Sequence, residues 1–139
     1  MVVDSSALMA ILLNEPERRA FTEALEGADV RLMSMANWVE TSMVIEVRLG
    51  TPGLHYLDHL LERAGIETVQ VDHAQALEAR RAFSRFGKRR HPAGLNFGDC
   101  FAYALARVTG QSLLFKGNDF GLTDVSVAVA PITPSPQCN

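Results

Sequence analysis

The sequence predicts a single three-layer α/β/α domain on a mostly parallel sheet of about five strands. Three observations carry this. The chain opens on a short apolar run, MVVD, that stops at a carboxylate and passes straight into the helix-like SALMAILLNE. A strand feeding directly into a helix is the expected start of an α/β fold. Short apolar runs then alternate with segments of helical periodicity, and 139 residues at 47% hydrophobic and 21% charged suit one domain with its own core.

The elements follow in order. Asn14-Glu15-Pro16 marks a break, with Pro16 placed as the first residue of a second helix. That helix turns Ala20, Phe21, Ala24 and Leu25 inward and stops at Gly27. Residues 30–33 read as a second strand. A long helix is expected over 35–49, ending at Gly50, with Val39, Met43, Val44 and Val47 as its apolar stripe. Thr51-Pro52 supplies an N-cap and a first-turn proline for another helix, carrying Leu54, Leu57, Leu60 and Leu61 and closed by Gly65.

Residues 67–71 alternate as a third strand, and Asp72 with Gln75 resembles a capping box. In the helix after it Ala79, Ala82, Phe83 and Phe86 fall at i, i+3, i+4 and i+7, and Gly87 ends it. A polar, basic loop occupies 88–96. The next helix repeats the spacing with Phe101, Ala104, Leu105 and Val108 and stops at Gly110. Residues 112–115 form a strand running into Lys116-Gly117-Asn118-Asp119, and 126–129 complete the strand count. The domain is placed at 1–132, with 133–139 (two prolines in a polar context) as a flexible tail.

Composition limits the function. The net charge is −3, from 13 basic and 16 acidic residues, so nucleic-acid contact has to be local rather than spread over the surface. Six of the basic residues, Arg80, Arg81, Arg85, Lys88, Arg89 and Arg90, crowd into one stretch. Cys100 and Cys138 make neither a disulfide framework nor a zinc pattern, which fits a reducing compartment. Neither a secretory leader nor a membrane span is expected, and the cytoplasm is the expected location.

Four carboxylates carry the chemistry: Asp4, Glu40, Asp99 and Asp119. Each has an ordinary alternative. Asp4 could cap the first helix, a role Ser5 or Ser6 could equally fill. Glu40 could be a surface glutamate, with Glu46 as a rival on the same helix. Asp99 opens a helix, where the dipole favours an acid by about 0.3–1 kcal/mol. Asp119 lies in a turn that suits Asp. Their conjunction is what counts. Carboxylates gathered in one crevice repel one another and raise at least one pKa, a penalty that a hard divalent cation such as Mg²⁺ or Mn²⁺ removes. Phosphodiester cleavage is the chemistry that follows. His55, His59, His73 and His91 lack the context of metal ligands.

The segments VVDSSALMAILLNEPE, SMANWVETSMVI, LNFGDCFAYALA and LLFKGNDFGLTDV, in this order and spacing, resemble the PIN domains, and among them the VapC-type toxins of VapBC toxin–antitoxin modules. The resemblance spans nearly the whole chain. It implies a Rossmann-like fold and a Mg²⁺- or Mn²⁺-dependent endoribonuclease, cleaving transfer or ribosomal RNA and arresting growth when free of antitoxin. It carries catalysis and metal binding to Asp4, Glu40, Asp99 and Asp119, with Asp4 and Asp99 as direct ligands and Ser6 in support. Asn118 stands where many relatives have a second acid.

The resemblance also implies a VapB-type antitoxin and a homodimer, with Phe21 and Leu57 considered as partner surfaces against ordinary core packing. Arg85, Lys88, Arg89 and Arg90 are candidates to hold RNA phosphates. Two other readings stand beside it. One is a Rossmann-like phosphatase using Asp4 as nucleophile, against which the residue two positions on is Ser6 rather than Asp. The other is a non-catalytic binding module on the same fold.

Overall fold

The computed structural model describes residues 1–130. Four strands, β1 (Val2–Val3), β2 (Leu32–Ser34), β3 (Glu67–Val69) and β4 (Leu113–Leu114), form one sheet in the order β3-β2-β1-β4. Every pairing among them is parallel, with Val2 opposite both Leu32 and Leu113. The expected fifth strand is reduced to one parallel bridge between Leu113 and Val127, held by Leu113 N–H donating to Ser126 O (2.8 Å) and Ala128 N–H to Leu113 O (3.0 Å). The proposed tail, 133–139, lies outside the described residues, as do the last two positions of the proposed domain.

The alternation of side chains along such short strands sorts the core into two layers. Val2 and Leu113 face a cluster built on α4 (His73–Phe86) and α5 (Phe97–Thr109), including Ala82, Tyr103 and Leu105. Val3 and Leu114 face the other side, where α1 (Ser5–Leu12), α2 (Arg18–Gly27) and the second half of α3 (Met35–Arg63) supply Leu8, Phe21, Leu25 and Leu57. Helices thus cover both faces, as a parallel sheet requires. Phe21 and Leu57 are core residues, so the considered partner surface gives way to packing.

Helix α3 spans Met35–Arg63, but its backbone breaks at Gly50, where φ is +66° and ψ is −162°. Pro52 follows as the first-turn proline of the second segment, so the two expected helices meet at a kink rather than a loop. The expected apolar stripe of the first segment points the wrong way. Val39, Met43, Val44 and Val47 are exposed, Val47 at 88%, and the buried face is Asn37, Thr41 and Ile45. That face turns toward α5 and the carboxylates, and polar residues occupy it for that reason.

Several termini match their chemistry. Gly110 ends α5 in the left-handed conformation, φ +69°. Asp72 caps α4 by accepting from Gln75 N–H (2.9 Å). The reciprocal half of that box is replaced, because the Gln75 amide donates to Gln70 O at 2.9 Å.

Candidate active site

Chain order and strand order part company beside β1. The chain steps from β1 to β2 to β3 in one direction, then crosses back over α4 and α5 to place β4 on the other side of β1. At such a switch point the carboxyl ends of the two central strands splay into a crevice, where open α/β sheets bind their ligands. Asp4 is the residue that leaves β1 into that crevice.

Asp4 is buried, and its N–H donates to Leu114 O of β4 (2.9 Å). It caps α1 itself: Oδ2 accepts from Ser6 N–H (3.0 Å) and from the Ser6 hydroxyl (2.6 Å). The Ser6 hydroxyl in turn accepts from Lys116 N–H (2.9 Å), just past the end of β4. One serine therefore ties the end of β1, the start of α1 and the end of β4 together. Oδ1 of Asp4 is buried with no hydrogen-bond partner. Burial lifts the Asp4 carboxyl to about 6 against the pull of the Ser6 bonds, with the Glu40 charge adding to the rise.

Glu40 reaches the crevice from α3. Its Oε1 accepts from the Ser5 hydroxyl (2.6 Å) and from the Asn37 amide (3.4 Å). Its carboxylate also lies directly against Gly98 on α5, where a side chain of any size would overlap it. Asn37, wholly buried, donates from the same amide to Gly98 O (2.9 Å).

Asp99 enters from the first turn of α5. It forms a reciprocal capping box with Asn96, Asp99 N–H donating to Asn96 Oδ1 (2.9 Å) and Asn96 N–H to Asp99 Oδ2 (3.0 Å). Burial pushes its carboxyl up to about 7 despite the Asn96 bond, and repulsion from Asp4, Glu40 and Asp119 adds to it. The mutual effects place all four acids in one electrostatic neighbourhood. Asp4 and Asp99 are thus helix-capping residues and candidate site residues at once.

Asp119 stands in the exposed turn after β4, beyond Gly117 (φ +103°) and beside the exposed Asn118. The chain after that turn is tied to α5 and α4 through Asp124. Asp124 accepts from the hydroxyl of the fully buried Tyr103 (2.5 Å) and pairs with Arg85 (3.5 Å) and Arg107 (3.9 Å). Arg85 is thus engaged by Asp124 and by the ring of Phe86. Lys88, Arg89 and Arg90 are exposed on a loop closed by Lys88 N–H to Leu95 O (2.9 Å) and Leu95 N–H to Phe86 O (2.9 Å).

Ser5, Asn37, Gly98 and Asp124 were not legible as site-building residues. Asn37 carried a usable signal, since it lies three residues before Glu40 and so shares its helical face.

The donor set is entirely oxygen, which suits Mg²⁺ or Mn²⁺ rather than a softer metal. Among the described residues no three of His, Cys, Asp and Glu close into a metal-holding group. Mg²⁺ keeps several waters and needs one or two direct carboxylates. The unpartnered Asp4 Oδ1 and the raised Asp99 carboxyl fit that pattern.

The family model of the PIN domain matches residues 1–126. Ribonuclease VapC of Mycolicibacterium smegmatis is 55% identical over 126 residues, covering 91% of this chain and 98% of that protein. Ribonuclease VapC30 of Mycobacterium tuberculosis is 50% identical over 131 residues, covering 94% and 100%. Among solved structures, Mycobacterium tuberculosis VapC20, a sarcin-ricin loop cleaving toxin, superposes with a TM-score of 0.75 at 18% identity, covering 94% of this chain and 98% of that one. A toxin–antitoxin complex from Klebsiella pneumoniae does so at 0.64 and 17%, covering 96% and 97%.

Proposed function

The chain belongs to the PIN domain family, and on that premise we propose that it is the VapC-type toxin of a toxin–antitoxin pair, a Mg²⁺- or Mn²⁺-dependent endoribonuclease. What supports the reading is a buried, unpartnered Asp4 Oδ1 at the switch point of the sheet, with Glu40 of α3 lying against Gly98, the residue before Asp99 on α5. Asp4 and Asp99 would hold the cation directly, with Glu40 and Asp119 supporting it through water. When bound, the cation polarises the attacking water and offsets the charge that builds on the phosphate and the leaving oxygen.

The chain's own residues do the rest. Ser6 and the Lys116 N–H fix one oxygen of Asp4 and leave the other free to bind. Ser5 and Asn37 hold Glu40 by one oxygen, so the carboxylate is available to take a proton from the water. Lys88, Arg89 and Arg90 hold RNA phosphates beside a pocket that would otherwise repel them. Transfer RNA or an exposed ribosomal RNA loop in the cytoplasm is the substrate.

The partners have their own surfaces. A cavity of about 840 Å³, lined by Leu25, Arg18, Arg31, Tyr56, Leu60 and Arg63 among others, contains none of the four acids. Its apolar and basic lining suits an amphipathic, acid-bearing segment of a VapB-type antitoxin. The exposed Val39, Met43, Val44 and Val47 suit a second copy of the chain.

The experiment is incubation of antitoxin-free protein with total RNA and Mg²⁺ or Mn²⁺. Discrete cleavage abolished by EDTA supports the reading. Intact RNA under all metal conditions favours a binding module on the same fold.

A further inference from the structure

We propose that Asn37 is a positioning residue of the carboxylate site: its side-chain amide, shared between Glu40 and the Gly98 carbonyl, sets where the Glu40 carboxylate stands relative to Asp99. The purpose of this arrangement rests on the metal-dependent reading above, whereas the arrangement itself is geometric.

Asn37 is wholly buried, a rare placement for an asparagine. Its amide orientation is fixed by its neighbours. Glu40 Oε1 at 3.4 Å and Gly98 O at 2.9 Å are both acceptors, so the NH₂ end must face them. That leaves Oδ1 buried without a partner, at the cost of its lost hydration. An apolar side chain of similar size would fill the space without that cost. What such a side chain lacks is the pair of N–H donors that bridges α3 to the first turn of α5.

The bridge has a direction. Asn37 shares a helical face with Glu40, and Gly98 is the residue immediately before Asp99 on α5. The backbone of Asn37 takes part as well, its carbonyl lying 3.2 Å from the Ser5 hydroxyl that donates to Glu40. Both hydrogen bonds to Glu40 fall on Oε1, while Oε2 lies toward the bare Cα of Gly98. Glu40 is thus held from its own helix, from α1 and from α5 together. Asn37 supplies the first of those contacts, meets the residues that make the other two, and touches no reacting atom.

Two explanations compete. In one, Asn37 acts on the site through Glu40. In the other it merely staples α3 to α5. A double-mutant cycle separates them, because residues acting through one another are not additive. Asn37→Ala, Glu40→Gln and the double variant are titrated with Mn²⁺ alone, free ion being read by electron paramagnetic resonance, and melted by circular dichroism.

Asn37→Ala should weaken Mn²⁺ binding about 10-fold, as loss of an outer hydrogen-bonding partner of a ligand does. In the Glu40→Gln background the same change should add less than about twofold. An equal loss in both backgrounds, or unchanged Mn²⁺ affinity in Asn37→Ala, overturns the proposal. If Asn37→Ala does not fold, Asn37→Ser takes its place in the cycle under the same criterion. An additive cycle overturns Asn37 alone. Wild-type protein that binds no Mn²⁺ overturns both Asn37 and the metal-dependent reading.

Discussion

Gly98 faces the carboxylate of Glu40 so closely that a β-carbon at Gly98 would overlap it. Glu40 cannot easily retreat, because Ser5 and Asn37 hold its other oxygen. The contact accounts for a glycine inside the first turn of α5, where it is otherwise unfavourable by about 0.5–1 kcal/mol. Gly98→Ala should therefore cut RNA cleavage at least about 10-fold by displacing Glu40, as misplacement of a site residue does. Cleavage rates measured beside melting curves check this, and full activity in a folded Gly98→Ala protein would show the Glu40 position to be immaterial.

Ser6 joins Asp4 to Lys116 across the switch point. Its two bonds hold the Asp4 carboxyl down against burial. Ser6→Ala should raise the pH needed for half-maximal cleavage and lower stability by about 1 kcal/mol. A pH–rate profile of the variant reads the first effect and urea denaturation the second.

Asp4 at about 6 and Asp99 at about 7 titrate above the ordinary carboxyl range. The folded, metal-free protein then binds more protons than the unfolded chain between about pH 4 and 7. The stabilisation is fully present at the acid end of that window and is lost as pH rises through 6 to 7. Metal-free protein should melt lower at pH 7.5 than at pH 5. Added Mn²⁺ should restore more stability at pH 7.5, where the ligands are ionised. Thermal melts at the two pH values, with and without Mn²⁺, test both signs.

Asp124, just past the short helix that follows Asp119, accepts from the buried Tyr103 hydroxyl. The Tyr103 hydroxyl is raised by burial and by this bond. Asp124→Ala leaves a buried hydroxyl without its acceptor and should cost about 1–3 kcal/mol. Cleavage should also fall as Asp119 loosens. Calorimetry and a cleavage assay on the same preparation separate the two effects.

Lys88, Arg89 and Arg90 project from a loop whose ends are closed by Gly87 and Leu95. Reversing their charge should weaken RNA binding and flatten its dependence on salt by about 0.7 in slope for each lost phosphate contact with single-stranded RNA. Binding measured across a salt series decides it, and an unchanged slope would remove this loop from the RNA path.

The crevice was legible because its strands announce themselves. MVVD and LLFK are apolar runs cut off by polar residues; Asp4 sits where the first break meets a helix start, and Asp119 follows the second break. The order of segments then resembled a family, and the family match bears that out. The facing of α3 was not legible. Periodicity finds Val39, Met43 and Val47 on one side of the helix, but it does not say whether that side meets the core or the outside. The inward side carries the polar Asn37 and Thr41 where it faces the carboxylates, with only Ile45 apolar. A glycine that clears space for Glu40 and an asparagine that spends its donors on a neighbouring helix are tertiary facts. Local pattern carries neither.

If Asp4 and Asp99 act together at the switch point on RNA and a divalent cation, replacing Asp99 alone removes the activity. The most direct measurement maps RNA ends across total cellular RNA treated with antitoxin-free wild-type protein and with Asp99→Asn, both in Mn²⁺. Discrete new ends are expected with the wild type and their loss, by at least about 100-fold, with the variant. Equal cleavage at the same sites by the folded Asp99→Asn protein would contradict it.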